Sequence, residues 1–270
     1  MTDFLWGDMA GAGFERFKLS NRDQALFLIE ERDLEAQLIA IKSVLRQNRE
    51  AEQQVAEEIK ALDTHIRSYA GDDYEYQMHM EGDWADTLHG TVFQDAAYSM
   101  SALGMIAPFF ESLLVSVFEG LRQRDETGET PVGNTIRGPR SAKKFWDPRL
   151  TFVDGEWKNG IVLGTRQLSD AIGLSSFLPE GFTSMHAALT AYRNSMFHNG
   201  FEWPVDKRKK FNELIVADAW PEGWFTKSTS NDEPWIFYMS ADFIEHCLHT
   251  IDQVLEGVGR YLEKGSTGQI

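Results

Sequence analysis

Three side chains with complementary chemistry lie close together at Arg193, Asn194 and His198. An imidazole can exchange a proton near neutral pH, a guanidinium can hold an anionic oxygen, and an amide can orient a partner through hydrogen bonds. This combination is suited to proton transfer beside a negatively charged group.

The segment that carries these residues has the periodicity of an amphipathic helix. Its apolar residues recur at alternating steps of three and four, at Phe182, Met185, Leu189, Tyr192 and Met196. Asn199 and Gly200 predict the end of the helix, because both residues tolerate a left-handed backbone.

On such a helix the three polar residues do not all face one way. Asn194 and His198 are four residues apart and share a face roughly opposite the apolar stripe, whereas Arg193 lies between the two faces. Arg193 and His198 are separated by about 140° around a regular helix. They can therefore meet one phosphate only if the helix loosens there or a second protomer completes the site.

The run Arg193-Asn194-Ser195-Met196-Phe197-His198 resembles the motif of the HEPN superfamily, an arginine, a polar residue, three more residues and a histidine near the end of a bundle helix. Resemblance to HEPN ribonucleases implies cleavage of RNA without a metal or cofactor. The ribose 2′-hydroxyl would attack the adjacent phosphate and leave a cyclic phosphate. His198 would transfer the proton, Arg193 would stabilise the phosphate charge, and Asn194 would position one of them.

The same resemblance implies a homodimer in which two motifs form one cleft. It also implies a toxin or antiviral defence effector in the cytoplasm, with a neutralising antitoxin or regulatory partner. The alternative is a non-catalytic helical bundle that uses this surface for dimerisation, or for binding a partner or nucleotide. In that case Arg193 and His198 would make hydrogen bonds between protomers.

Charge indicates where RNA would bind. The net charge of −16 argues against a protein that coats nucleic acid through general electrostatics. Two basic segments depart from this background; they either form a solvated loop and a solvated helix face or, beside the motif, suit phosphate contacts. The predicted RNA-binding residues are Arg137, Arg140, Lys143, Lys144, Lys207, Arg208, Lys209 and Lys210, with Trp203 to stack on a base.

Two further groups of side chains invite a functional interpretation. Glu111 is a lone carboxylate in an apolar run, so it is expected either to pair with the motif arginine or histidine, or to face solvent. His246 and His249 are three apart on a predicted helix, but no matching ligand cluster accompanies them. We therefore expect no metal site.

Composition predicts the class of protein. The 270 residues are 42% hydrophobic, which is typical of a soluble globular chain long enough to bury a sizeable core. The single Cys247 suits a reducing compartment, and we expect no run to approach the length of a transmembrane helix. These features favour a cytoplasmic protein that does not contact membranes.

The predicted fold is mainly α, a HEPN-like helical bundle with a long N-terminal helix and small β-hairpin insertions. We expect an arm over 1–20, a single domain over 21–264 and a flexible tail over 265–270. The insertions fall at about 125–160 and 220–239. Asp154-Gly155 predicts a tight hairpin turn in the first insertion, and the polar stretch 227–233 is expected to connect the two strands of the second. Ser240 is expected to cap a final helix that ends near Leu262.

The first predicted helix covers 21–69 and keeps a heptad-like seam that Asn48 and Glu52 interrupt. This seam predicts either a hairpin arm within the chain or a dimerisation surface. A connection through Trp84 then leads to a second, strongly apolar helix over 91–124.

Overall fold

The computed structural model describes residues 19–29, 32–126 and 137–267. The predicted arm over 1–20 lies almost wholly outside these residues. Within them the protein is mainly helical, as predicted, with seven α-helices and two antiparallel hairpins. The helices are α1 Asn21–Phe27, α2 Leu34–Ser68, α3 Tyr74–Glu126, α4 Ile161–Ile172, α5 Phe182–Asn199, α6 Val205–Ala217 and α7 Ala241–Thr267. The strands are β1 Leu150–Val153, β2 Glu156–Asn159, β3 Phe225–Ser230 and β4 Glu233–Met239.

The N-terminal helical region differs from the prediction in two places. The single helix expected over 21–69 is interrupted between α1 and α2, where the Asp33 carboxylate accepts a hydrogen bond of 2.9 Å from the Ala36 amide and caps α2. The expected connection through Trp84 is helical and belongs to α3, which begins at Tyr74. Polar and aromatic composition suggested a loop there, but pairing with α2 along the hairpin favours a continuous helix.

The seam of α2 faces α3 in the same chain. Leu34, Leu38 and Leu45 are buried in the protein's own core. The Asn48 side-chain amide lies 3.4 Å from the Ser101 hydroxyl of α3 and donates a hydrogen bond to it. The N-terminal half of the seam therefore packs within the chain, in the hairpin that α2 forms with α3, which is one of the two arrangements predicted.

Helix α3 supplies the centre of the core. An 18-residue window within Tyr74–Asp125 reaches a mean hydropathy of 1.7, so the helix is apolar enough by composition and length to cross a membrane, contrary to our expectation. However, 56% of that window is buried inside the protein. Its apolar character is therefore accounted for by packing against α5, α7 and β4.

Both predicted hairpins are present. The β1–β2 turn is Asp154-Gly155, with φ of 56° and 80°, the conformation that makes Asp-Gly a tight-turn signal. In the second hairpin, the polar stretch predicted as a connection over 227–233 instead forms much of β3 and the start of β4, and the turn is Asn231-Asp232. Its side chains are mostly exposed, so a polar composition is compatible with a strand there.

The last helix begins where the sequence predicts. The Ser240 hydroxyl accepts a hydrogen bond of 3.0 Å from the Phe243 amide and so caps α7. The helix extends to Thr267, and therefore includes the first three residues of the predicted 265–270 tail. Helix α7 packs closely against α1, which brings distant parts of the chain together.

We expect Gly259→Ala to destabilise the protein by about 1–3 kcal/mol, since overpacking of a tight contact has this cost. A Cβ at Gly259 would collide with the backbone carbonyl of Asn21, which cannot move without shifting α1. Gly82→Ala in α3 is the matched control, because a Cβ there meets nothing within 4 Å. Urea denaturation of both variants measures the difference, and equal midpoints would contradict the close packing of α1 on α7.

Candidate functional site

Helix α5 presents the motif as the sequence predicts. It is an uninterrupted α-helix with Met185, Leu189, Tyr192 and Met196 buried. The Tyr192 hydroxyl donates a hydrogen bond of 2.9 Å to the carbonyl oxygen of Phe237 in β4, which anchors the helix to the second hairpin. The buried apolar stripe of α5 is thus anchored at Tyr192, two residues before Asn194, which is the first exposed residue of the motif.

The helix also ends as predicted. Gly200 has φ of 70°, a conformation that L residues rarely adopt, and its amide donates a hydrogen bond of 2.9 Å to the carbonyl of Met196. The Asn199 side-chain amide donates to the carbonyl of Ser195 at 2.7 Å. These local contacts leave the last turn of α5 well defined.

The motif side chains are open to solvent. Asn194 and His198 are exposed, and Arg193 is half-buried. In the described part of the chain, none of the three side chains makes a hydrogen bond or ion pair. The second histidine of α5, His186, is buried, and this burial lowers its pKa to about 4. His198 is therefore the imidazole of α5 that a substrate can reach.

One protomer does not bring Arg193 and His198 together. The α-helix continues through Asn199, so the helix does not loosen between them. The two residues are separated by about 140° around the helix axis and about 7.5 Å along it. One α5 helix therefore does not place Arg193 and His198 against the same phosphate, and a site that uses both kinds of side chain needs groups from outside that helix.

Apolar side chains flank the motif. Phe197 is 51% exposed and Val205 is 53% exposed. The Phe197 ring lies against α3, since a Cβ at Gly104 would be 3.8 Å from its Cζ. Large exposed apolar groups beside exposed polar ones are typical of protein–protein interfaces.

Two predicted RNA-binding residues are buried, so those predictions are wrong. The Arg137 side chain is completely buried, and its guanidinium donates hydrogen bonds to the carbonyl oxygens of Phe145, Asp147 and Gly164. Trp203 is 3% exposed; its indole N–H donates a 2.8 Å hydrogen bond to the Gly200 carbonyl. Neither side chain can reach a nucleic acid.

The remaining residues of the first basic segment differ in availability. The Arg140 guanidinium is bonded to both carboxylate oxygens of Asp125 and lies over the Trp146 ring at 5.4 Å. Its charge is therefore already balanced within the chain. Lys143 and Lys144 are exposed in a short 3₁₀ turn.

The second basic segment lies on α6, one loop after the motif. Lys207, Lys209 and Lys210 are exposed, and the Lys209 ammonium lies 3.7 Å from a Glu233 carboxylate oxygen. Arg208 is half-buried and donates a 2.8 Å hydrogen bond to the Pro234 carbonyl. Lys207 and Lys210 are thus the better candidates for phosphate contacts.

Glu111 does not support the motif within one chain. Its neighbour Phe110 packs against Phe182 and His186, in the first turns of α5. His198 is about 18 Å further along the helix axis than His186. Glu111 instead lies near Arg149. Among the described residues no hydrogen bond or ion pair joins Glu111 to Arg193 or His198, so the alternative in which Glu111 pairs with the motif does not hold within one protomer.

His246 and His249, the pair considered as metal ligands, both lie on α7. The His246 ring packs 5.1 Å from the Trp224 ring, and the intervening Cys247 is buried. Across residues 19–29, 32–126 and 137–267, no group of three or more His, Cys, Asp or Glu residues is placed to hold a metal ion.

Sequence interpretation missed one cleft. A cavity of about 710 Å³ between α2, α3, the second hairpin and α7 is lined by Asp95 and Glu52. Burial, and secondarily the charge of Glu52, raises the pKa of Asp95 to about 6, and burial also raises the pKa of Glu52. The interruption of the seam at Glu52 was the only signal of this cleft in the sequence pattern. Asp95 is far from Glu52 in the sequence and lines the same cleft because α3 pairs with α2.

Comparison of the chain with models of known protein families, with curated proteins and with solved structures finds no match.

Proposed function

We propose that the protein is a metal-independent endoribonuclease of HEPN type that acts as a homodimer in the cytoplasm. The observation that carries this proposal is the trio Arg193, Asn194 and His198 at the end of α5, accessible and without partners among the described residues. In a substrate complex, the exposed imidazole of His198 takes or returns the proton of the 2′-hydroxyl or leaving oxygen. Arg193 balances the developing phosphate charge, and Asn194 orients one of these groups.

A second protomer completes the site. Because one α-helix separates Arg193 and His198 by about 140°, the two groups reach one phosphate most simply from different chains. The exposed Phe197 and Val205 give that second chain an apolar surface to cover. Lys207 and Lys210 then flank the cleft and contact neighbouring phosphates of the RNA.

The biological role follows from the same resemblance. We propose a toxin or antiviral defence effector whose cleavage activity is held in check by an antitoxin or regulatory partner. That partner would act most directly by covering His198 or by separating the two protomers.

Exposed apolar side chains beside the motif also fit the alternative of a non-catalytic interaction protein. Arg193 and His198 would then make hydrogen bonds between protomers. In that case, their substitution would change the mass measured by size exclusion with light scattering and no RNA would be cut.

We expect the purified protein to cut single-stranded RNA in EDTA and to leave a cyclic phosphate at the new 3′ end. The reason is that the nucleophile is the substrate's own 2′-hydroxyl, so no metal-bound water is needed. A matched oligonucleotide with 2′-deoxyribose at the cleaved position serves as the control. Cleavage of this control, or activity that appears only with added metal, would contradict the mechanism.

A further inference from the structure

The opposite end of α5 contains a cleft that the proposed cleavage does not use. It encloses about 440 Å³ between α4, the short 3₁₀ turn Ser175–Phe177 and the first turn of α5. Its lining includes Arg166, Ser169, Asp170, Thr183 and Ser184. Ser184 is about 21 Å along the helix axis from His198, so the two places are separate.

The first turn of α5 offers unused hydrogen-bond donors. The amides of Phe182 and Met185 donate to the carbonyls of Pro179 and Gly181, at 3.2 and 2.9 Å. In the part of the chain that the structure describes, the amides of Thr183 and Ser184 between them have no acceptor, and Gly181 supplies no side-chain cap. Free N–H groups and the positive end of an 18-residue helix favour an anion at this position.

A buried hydroxyl provides an independent indication of a ligand. Ser169 lines the cleft and is 1% exposed, and its Oγ has no hydrogen-bond partner among the residues that the structure describes. An unsatisfied buried hydroxyl destabilises the folded protein, so such groups are normally paired. A ligand oxygen in the cleft would satisfy it.

Charge decides which kind of ligand fits. Arg166 on α4 is exposed, and within the described residues its guanidinium has no acidic partner. It can supply two parallel hydrogen bonds to an oxyanion. The Asp170 carboxylate lines the same cleft. Its negative charge repels an anion and so lowers the affinity of the cleft for one.

We propose that the N-terminus of α5, together with Arg166 and Ser169 of α4, binds the terminal phosphate of a phosphate monoester. The donors are two backbone amides, the hydroxyls of Ser169, Thr183 and Ser184, and one guanidinium. They are enough for the three free oxygens of a terminal phosphate, whereas an internal phosphodiester offers two. The phosphate belongs either to a small metabolite or to the 5′ end of an RNA chain.

Titration with inorganic phosphate at constant ionic strength tests the site directly. The amide NMR signals of Thr183 and Ser184 should shift and saturate with a Kd of about 1 mM. Arg166→Gln should weaken binding about tenfold, and Asp170→Asn should strengthen it severalfold. Arg46→Gln on the exposed face of α2 is the control and should leave the affinity unchanged.

Ser169→Ala separates a ligand contact from a structural role. Loss of the hydroxyl should weaken phosphate binding about fivefold, and the urea midpoint should not fall, because the hydroxyl has no partner to lose within the described part of the chain. No shift of the two amides up to about 10 mM phosphate, or equal affinity in wild type, Arg166→Gln and Asp170→Asn, would overturn the proposal.

The source of the phosphate is resolved by comparing a nucleoside 5′-monophosphate with a 5′-phosphorylated oligoribonucleotide. Tighter binding of the oligonucleotide assigns the site to RNA ends, and equal binding assigns it to a small metabolite. A 5′-hydroxyl oligonucleotide that binds as tightly as the phosphorylated one would refute a terminal-phosphate site. His198→Ala should retain phosphate binding and Arg166→Gln should retain cleavage of 5′-hydroxyl RNA, so this site and the proposed nuclease can fail separately.

Discussion

The His198→Ala chain is expected to cut RNA about 10²–10⁴ times more slowly than wild type, because positioned acid–base groups contribute rate factors of this size. His198 is exposed and has no partner among the described residues, so the substitution should leave stability within about 0.5 kcal/mol of wild type. Initial rates on a fluorescent RNA in EDTA measure the loss. His65→Ala removes an equally exposed imidazole from α2 and should keep full activity. Equal low rates for wild type and His198→Ala would point to a contaminating nuclease and end the catalytic assignment.

Mixed dimers test whether two chains share the site. If Arg193 of one protomer works with His198 of the other, Arg193→Ala and His198→Ala chains are each inactive alone. Random pairing of equal amounts should restore about one quarter of wild-type activity, because half of the dimers then carry one intact site of two. Recovery should appear only after the chains are co-refolded or co-expressed. No recovery in dimers proved to be mixed would show that both residues act from the same chain.

The Arg137→Ala chain is expected to lose about 3–5 kcal/mol of stability, since each buried acceptor left without a donor costs about 1–3 kcal/mol and truncation of a large buried side chain adds a cavity. The Arg137 guanidinium donates to the carbonyls of Phe145 and Gly164 at 2.7 and 3.0 Å and lies 5.1 Å from the centre of the Trp157 ring. Burial lowers its pKa to about 10, which leaves it charged at neutral pH. Its loss therefore leaves buried carbonyls without donors and opens a cavity.

Urea denaturation of Arg137→Ala should show this loss directly. Arg137→Lys tests geometry, since a point charge cannot serve three carbonyls at once, and it should recover only part of the stability. Arg46→Ala is the control, because the Arg46 side chain is 72% exposed and should contribute less than about 0.5 kcal/mol. A midpoint for Arg137→Ala equal to that of wild type would contradict a structural role.

Sequence predicted those parts of the structure that local chemistry determines. The apolar period of α5 placed Met185 and Met196 in the core, and Asn199 with Gly200 marked the end of the helix. Asp154-Gly155 marked the first hairpin because few residue pairs adopt that turn. Each of these signals is complete within a few residues, so no knowledge of the tertiary structure was needed.

The errors concern residues whose role depends on distant parts of the chain. A basic run suggested that Arg137 faces solvent, but the carbonyl of Gly164 far along the chain accepts its hydrogen bond. Trp203 looked available for stacking, yet the Phe237 ring lies parallel to it at 5.4 Å. Asp95 meets Glu52 only through the pairing of α2 with α3. Composition and residue spacing do not indicate which distant residues will become such partners.

The packing of α1 on α7 has a consequence for the timing of synthesis. Asn21 leaves the ribosome long before its neighbour Gly259, and Phe237, which supports α5, also follows the motif in the chain. A growing polypeptide that already contains Arg193 and His198 therefore lacks both the hairpin and the helix that complete the core. If the protein cleaves RNA as proposed, this order delays the activity until the residues around Gly259 have been synthesised, and gives a restraining partner time to bind the new chain before it can act on the RNA around it.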